Sequence, residues 1–309
     1  MEFKTTLNFK KEDFSISYQD PILLIGSCFI EHIGKKLSSL KFSTCVNPTG
    51  VVYNPISIQK TIEILLNNRR FTKQDLFFHG GLWNSFSHHS RFSDKDQSIC
   101  LEKINSEIET SVSFFKTCKF LFLTFGTAFV YELESGEVVS NCHKLPAKTF
   151  TKRMLSVDEI YENYKNLIQK IQTLNPEIKI VFTVSPIRHL ADGFHQNQLS
   201  KSTLLLAIDR ICQNSTNTYY FPSYELVLDD LRDYRFYAQD MAHPNELAVA
   251  YVWEYFSECY FDKTTKEMIK KVESIIRDLN HKPFNPDSDE YRKFQEQLQR
   301  KIDELGFKF

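Results

Sequence analysis

Three short, uninterrupted apolar runs constrain this chain most: PILLIG at 21–26, KFLFLTFG at 119–126 and KIVFTVSP at 179–186. Runs of that length without polar alternation read as strands buried on both faces, the signature of a parallel sheet. Between them lie segments with helical spacing. FIEHIGKKLSSL places Phe29, Ile33, Leu37 and Leu40 on one face, and SVDEIYENYKNLIQKIQTL at 156–174 is amphipathic throughout. NPISIQKTIEILLNN at 54–68 offers Asn54 as an N-cap and Pro55 at the first helical position. Further helices are expected over 199–213 and 244–261, with a strand over 217–225. Strands alternating with helices imply an α/β fold with a mostly parallel sheet and crossover connections. Residues 75–118 keep neither period and read as an irregular insertion near the active face. Residues 262–309 read as two charged amphipathic helices around a Pro/Asn break. This C-terminal helical tail either packs on the 1–261 domain or mediates self-association, and packing is the expected arrangement.

With 309 residues and 42% hydrophobic content the chain can bury a sizeable core. Lysine plus arginine (38) balances aspartate plus glutamate (39). No net field gathers nucleic acid or an anionic membrane, so neither is an expected partner. The N-terminal residues contain no apolar leader, and no segment approaches the roughly 18 apolar residues of a membrane span. A cytoplasmic protein is therefore expected. Seven cysteines at irregular spacings, with no C-x-x-C pair, argue against a disulfide framework and a zinc ribbon.

Ligands of open α/β sheets gather outside the carboxyl ends of the strands. Four strand-end or loop motifs therefore matter: Gly26-Ser27-Cys28, Gly126-Thr127, the SPIRH run at 185–189, and Asp240-Met241-Ala242-His243. Asp240 and His243, three residues apart just before Pro244, can pair a carboxylate with one imidazole nitrogen and leave the other for a nucleophile. Asp192 and His195 have the same spacing and compete for that role. Arg188, His189 and His195 follow a strand end, where they either bind substrate or clamp a loop. His88, His89 and Trp83 either line the cleft from the insertion or pack within it. Four histidines, His88, His89, His143 and His189, show no established metal-ligand spacing, so no metal is expected.

Five ordered stretches, IGSCFIEHIG, NPTGVVYNP, LTFGTAF, SPIRHLADGFHQNQLSK and DMAHPN, together resemble the GSCFA-domain family over about residues 1–260. That family is similar to the GDSL/SGNH hydrolases. The resemblance implies an SGNH-hydrolase-like three-layer α/β/α sandwich and acyl-ester chemistry, hydrolysis or acyl transfer, on a small-molecule or glycan acyl ester. Hydrolysis would need no cofactor. Laid against the Gly-Asp-Ser motif of SGNH enzymes without a gap, the register puts Cys28 on the nucleophile. The start of a helix there would favour a thiolate. A one-residue slip makes Ser27 the attacker instead, and both residues can equally be small residues in a tight turn. The same pattern implies an oxyanion hole from Gly50 in the second motif and from Gly126 and Thr127 in the third. The third-motif asparagine of SGNH enzymes is missing here. Two alternatives stay open: a non-catalytic ligand- or carbohydrate-binding module on a degenerate scaffold, and a metal-assisted hydrolase.

Overall fold

The computed structural model describes residues 5–7, 11–285 and 287–306. Five parallel strands form its central sheet: β1 (Ile22–Gly26), β2 (Thr44–Val46), β5 (Phe120–Phe125), β8 (Lys179–Val184) and β9 (Thr218–Tyr220), in the order β2-β1-β5-β8-β9. Two antiparallel hairpins lie outside the sheet. One pairs β3 (Phe77–His79) with β4 (Leu82–Asn84), the other β6 (Phe129–Glu132) with β7 (Thr151–Met154).

The side-chain alternation of a strand sorts the apolar runs into two cores. Leu23 and Ile25 of β1, Leu121, Leu123 and Phe125 of β5, and Ile180, Phe182 and Val184 of β8 face one cluster. It is covered by α2 (Pro55–Leu66), α3 (Gln97–Thr117), α4 (Val157–Leu174) and α5 (Phe194–Asn214). Ile22, Leu24, Phe120, Phe122 and Val181 face the other, covered by α1 (Cys28–Ser39), α7 (Glu246–Tyr260) and α8 (Lys263–Leu279). The result is an α/β/α sandwich around a parallel sheet. The last helix, α9 (Asp289–Leu305), follows α8 and buries Leu298. The tail packs on the domain: Ile269 and Val272 of α8 join the second core, and Thr265 donates its hydroxyl to the Ile16 carbonyl at 3.2 Å.

Two segments depart from expectation. Residues 75–118 are more regular than their composition suggests. The aromatic part forms the β3–β4 hairpin, and Asp96 then caps α3 by accepting N–H bonds from Ser98 and Ile99, after which Cys100, Ile104, Ile108 and Val112 supply a buried stripe. The strand expected over 217–225 stops at Tyr220. Pro222 has no ladder donor, and the chain turns into the short helix α6 (Ser223–Glu225), where the buried Ser223 hydroxyl donates to the Val184 carbonyl at 2.8 Å. Among the described residues no helix is long and apolar enough to cross a membrane.

β1 and β5 pair Gly26 with Thr124 at their carboxyl ends. Gly26 has φ +148°, and a Cβ there would lie 2.3 Å from the Thr124 carbonyl oxygen. Gly136 also has positive φ, +81°, but open space around it. Gly136→Ala is expected to cost only the backbone strain, about 1 kcal/mol. Gly26→Ala must also push two strand ends apart and should cost several-fold more, read as the difference in urea unfolding midpoints. Equal costs for the two variants would show that the close approach at Gly26 does not constrain the fold.

Candidate active site

The sheet order reverses direction between β1 and β5, and in such folds the crevice at that switch point takes the ligand. A cavity of about 630 Å³ opens there. Ser27, Cys28, Tyr53, Asn54, His89, Thr127, Arg188, His189 and His243 are among its lining residues.

The turn after β1 is pinned on several sides. Gly26 donates its N–H to Asn47 Oδ1 at 2.8 Å, Val52 donates to the Gly26 carbonyl at 3.1 Å, and Ser27 donates to the Thr124 carbonyl at 3.3 Å. Ser27 takes the N-cap position of α1 without using its hydroxyl there. It is 1% exposed, and Oγ has no hydrogen-bond partner among the described residues. A buried polar group left so costs about 1–3 kcal/mol, which makes this position unusual. Cys28 is the first residue of α1 and only half-buried. Burial pushes its thiol pKa up, and Glu31 adds to that; the N–H groups of Cys28 and Phe29 and the Lys201 charge pull the other way and lose. The thiolate-favouring helix start expected from the sequence is present, but it does not decide the net direction.

The Asp240–His243 loop is well formed. Asp240 Oδ1 accepts the N–H groups of Ala242 and His243 at 3.0 Å each, and Oδ2 meets His243 Nδ1 at 2.6 Å. Those bonds, the backbone N–H of His243 foremost, hold the Asp240 carboxyl down at about 2. The carboxylate is therefore ionised at all ordinary pH and fixes the imidazole with Nε2 as the outward nitrogen. The loop is tied to the strand-end segment after β8 by the Arg188 N–H, which donates to the Ala242 carbonyl at 3.1 Å.

The oxyanion donors implied by the resemblance are engaged elsewhere. Gly50 donates its N–H to the Asn47 carbonyl at 2.7 Å, inside a turn where a Cβ would strike His89 Cβ at 2.1 Å. Gly126 and Thr127 both donate to the Tyr53 carbonyl, at 2.7 and 3.0 Å. The Thr127 hydroxyl accepts the Phe129 N–H at 3.1 Å and bonds Ser200 Oγ at 3.1 Å. None of the three has a main-chain N–H left to offer the cavity.

Of the remaining candidates, His89 lines the cavity, whereas His88 does not. His88 is 1% exposed, bonds Ser85 Oγ through Nδ1 at 2.9 Å and packs edge-on against Phe71 and Phe92. Trp83 packs beside Phe78 in the β3–β4 hairpin. His195 is exposed on the first turn of α5, outside the cavity lining, and Asp192 is paired with Lys152 instead. The Asp192–His195 alternative is therefore not assembled. Arg188 is surrounded by the Tyr237, Tyr234 and Phe194 rings, 5.1 to 5.6 Å from its guanidinium carbon. His189 sits deeper. Burial, with Lys201 and His243 adding to it, draws its pKa down to about 4.

Several lining residues escaped the sequence reading. Asn54 spends Oδ1 on the Ser57 N–H at 2.8 Å, so its amide hydrogens are the group it can present to the cavity. Tyr53, Phe129 and Tyr131 line it with aromatic surface. Beneath it, Lys201 is 1% exposed and donates to the carbonyls of Gly126 at 2.6 Å and Ser185 at 2.7 Å, with its pKa drawn down to about 7 by burial. Asn54 and Lys201 both lie inside the recognised stretches, NPTGVVYNP and SPIRHLADGFHQNQLSK; that placement was the only sequence signal for Lys201, and Asn54 was legible as a helix cap but not as a cavity residue. Among the described residues no group of three or more His, Cys, Asp or Glu is placed to hold a metal ion.

Comparison with solved structures gives distant likenesses. A carbohydrate esterase family 3 protein from Talaromyces cellulolyticus aligns at 7% identity and a TM-score of 0.37, over 83% of this chain and 99% of its own. A family two carbohydrate esterase from Clostridium thermocellum, solved with cellohexaose, aligns at 12% identity and 0.38, over 84% and 66%. An acetyl xylan esterase from the rumen bacterium Butyrivibrio proteoclasticus aligns at 8% and 0.37, over 85% and 65%. Comparison with curated protein sequences returns no match. Residues 272–309 match the model described as the GSCFA domain protein C-terminal domain. Residues 21–256, which hold the whole sheet and every motif of the cavity, match the GSCFA family model, and the chain belongs to the GSCFA family.

Proposed function

We propose that the protein is an acyl-ester hydrolase or acyltransferase of SGNH-like type in which Cys28 attacks, His243 serves as general base and acid, and Asp240 orients His243. The observation that carries this reading is the 2.6 Å bond between Asp240 Oδ2 and His243 Nδ1, with His243 and Cys28 on one cavity. Cys28 is favoured over Ser27 because it is the more exposed of the two at the cavity.

The raised thiol pKa shapes the mechanism. At neutral pH Cys28 is a thiol, so the proton must leave as the bond forms. His243 takes the proton from Sγ while sulfur bonds the ester carbon, and the imidazolium returns it to the departing alkoxide oxygen. A water or an acceptor hydroxyl then gives its proton to His243 and displaces sulfur, which regains the thiol. Asp240, ionised throughout, balances the transient imidazolium. The aromatic wall of Tyr53, Phe129 and Tyr131 suits the flat faces of a small acylated sugar. The carbohydrate esterases that align with the fold act on substrates of that kind by name, which accords with the reading without carrying it.

Cys28→Ala is expected to abolish turnover of short p-nitrophenyl esters, and His243→Ala to lower kcat roughly 10²–10⁴-fold, with thermal unfolding close to that of the parent. Full activity in Cys28→Ala would remove Cys28 from the mechanism.

The pH dependence follows from the direction of the thiol shift. Burial disfavours the thiolate, so its fraction at pH 7 lies below that of free cysteine and grows as pH rises. Alkylation of Cys28 by iodoacetamide should therefore increase with pH through a midpoint above the ordinary thiol value of about 8.5. Fast alkylation that stays level down to pH 5 would mean a standing thiolate–imidazolium pair and would overturn the general-base step.

A further inference from the structure

We infer that the negative charge developing on the acyl oxygen during attack at Cys28 is held by two side chains beside Gly126, the Ser27 hydroxyl and the His189 Nε2–H. The inference rests on the acyl-transfer reading above and goes beyond it, because Ser27 becomes a donor instead of a rival nucleophile and His189 becomes a catalytic residue.

Ser27 Oγ and His189 Nε2 are both buried and both lack a hydrogen-bond partner among the described residues. Both side chains reach the same face of Gly126: a Cβ there would stand 3.4 Å from His189 Nε2 and 3.4 Å from Ser27 Cβ, and 2.9 Å from the Tyr53 carbonyl oxygen, so a side chain at Gly126 would crowd both. Ser27, His189 and Cys28 line the same cavity, and Ser27 precedes Cys28 in the chain. Donors left unpaired in the resting protein beside one glycine at the nucleophile's cavity are what an oxyanion requires, since they need no reorganisation when the charge appears.

Two further features fit this role. With its pKa drawn down to about 4, His189 is a neutral imidazole at neutral pH and can donate from Nε2 without competing with His243 for the proton. Lys201, which donates to the Gly126 carbonyl at 2.6 Å, fixes the glycine beside the two donors. The step balances without a proton moving at either donor. The Cys28 proton goes to His243, the S–C bond forms, and the carbonyl π pair rests on oxygen between Ser27 O–H and His189 N–H. It returns to reform C=O as the alkoxide leaves with the proton from His243.

Two reactions at Cys28 separate this role from thiol activation. Acylation by p-nitrophenyl acetate passes through the oxyanion, whereas alkylation by iodoacetamide displaces iodide and makes none. Both adducts at Cys28 are read by mass spectrometry in the full chain. Ser27→Ala and His189→Ala should each slow acylation about 10²-fold, with alkylation within twofold of the parent. His189→Gln, whose side-chain amide can place an N–H near the same point, should recover most of the loss. Ser27→Ala removes a single oxygen and carries the test if His189→Ala does not fold. Acylation that falls no further than alkylation overturns the inference and leaves the Cys28 mechanism standing. If Cys28 in the parent protein acylates no faster than the other cysteines, the acyl-transfer reading fails, and this inference with it.

Discussion

The close approach of β1 and β5 at their carboxyl ends is the contact on which the cavity depends. Gly26 lies so near the Thr124 carbonyl that only a residue without Cβ fits, and the Ser27 N–H bonds that same carbonyl. This sets the direction in which the chain leaves the sheet, and with it the place where α1 begins. Cys28 reaches the cavity only because the turn before it has no room to drift. On the neighbouring side, the Lys201 ammonium joins the carbonyls of Gly126 and Ser185 and so holds the ends of β5 and β8 together. An ammonium is a costly group to bury without a carboxylate, and among the described residues Lys201 bonds only these two carbonyls.

The electrostatics of the cavity differ from those of a preformed ion pair. A helix start alone would favour a thiolate, yet enclosure by the surrounding side chains outweighs the helix N–H groups at Cys28. His243 remains half exposed, beside a carboxylate that is ionised at every working pH. Cys28 and His243 thus sit in different environments, one half-buried against the turn and the other half exposed to solvent.

Much of the architecture was legible because its signals are local. Short apolar runs with no polar alternation, each ending on a turn residue, favour strands covered on both faces, and all three became central strands. Asn54 and Pro55 announced α2 through capping chemistry that does not depend on the rest of the fold. The Asp240–His243 spacing was readable because the pairing is made within four residues. The floor of the cavity was not readable. Whether a glycine N–H points at a substrate or at a carbonyl depends on contacts such as Tyr53 with Gly126, made across more than seventy residues of chain. For the same reason His88 and His89, neighbours in sequence, part company: one is sealed between Phe71 and Phe92, and the other faces the cavity.

The engagement of the Gly50, Gly126 and Thr127 amides has a consequence for how this scaffold changes over time. A main-chain donor survives every substitution except proline, so a hole built from amides is inherited along with the fold. Here those amides are consumed in holding turns, and the polar character of the floor passes to side chains. Each of these is one codon from being lost or regained. The polarity of this floor can therefore be retuned by single replacements that leave the sheet and its two cores untouched.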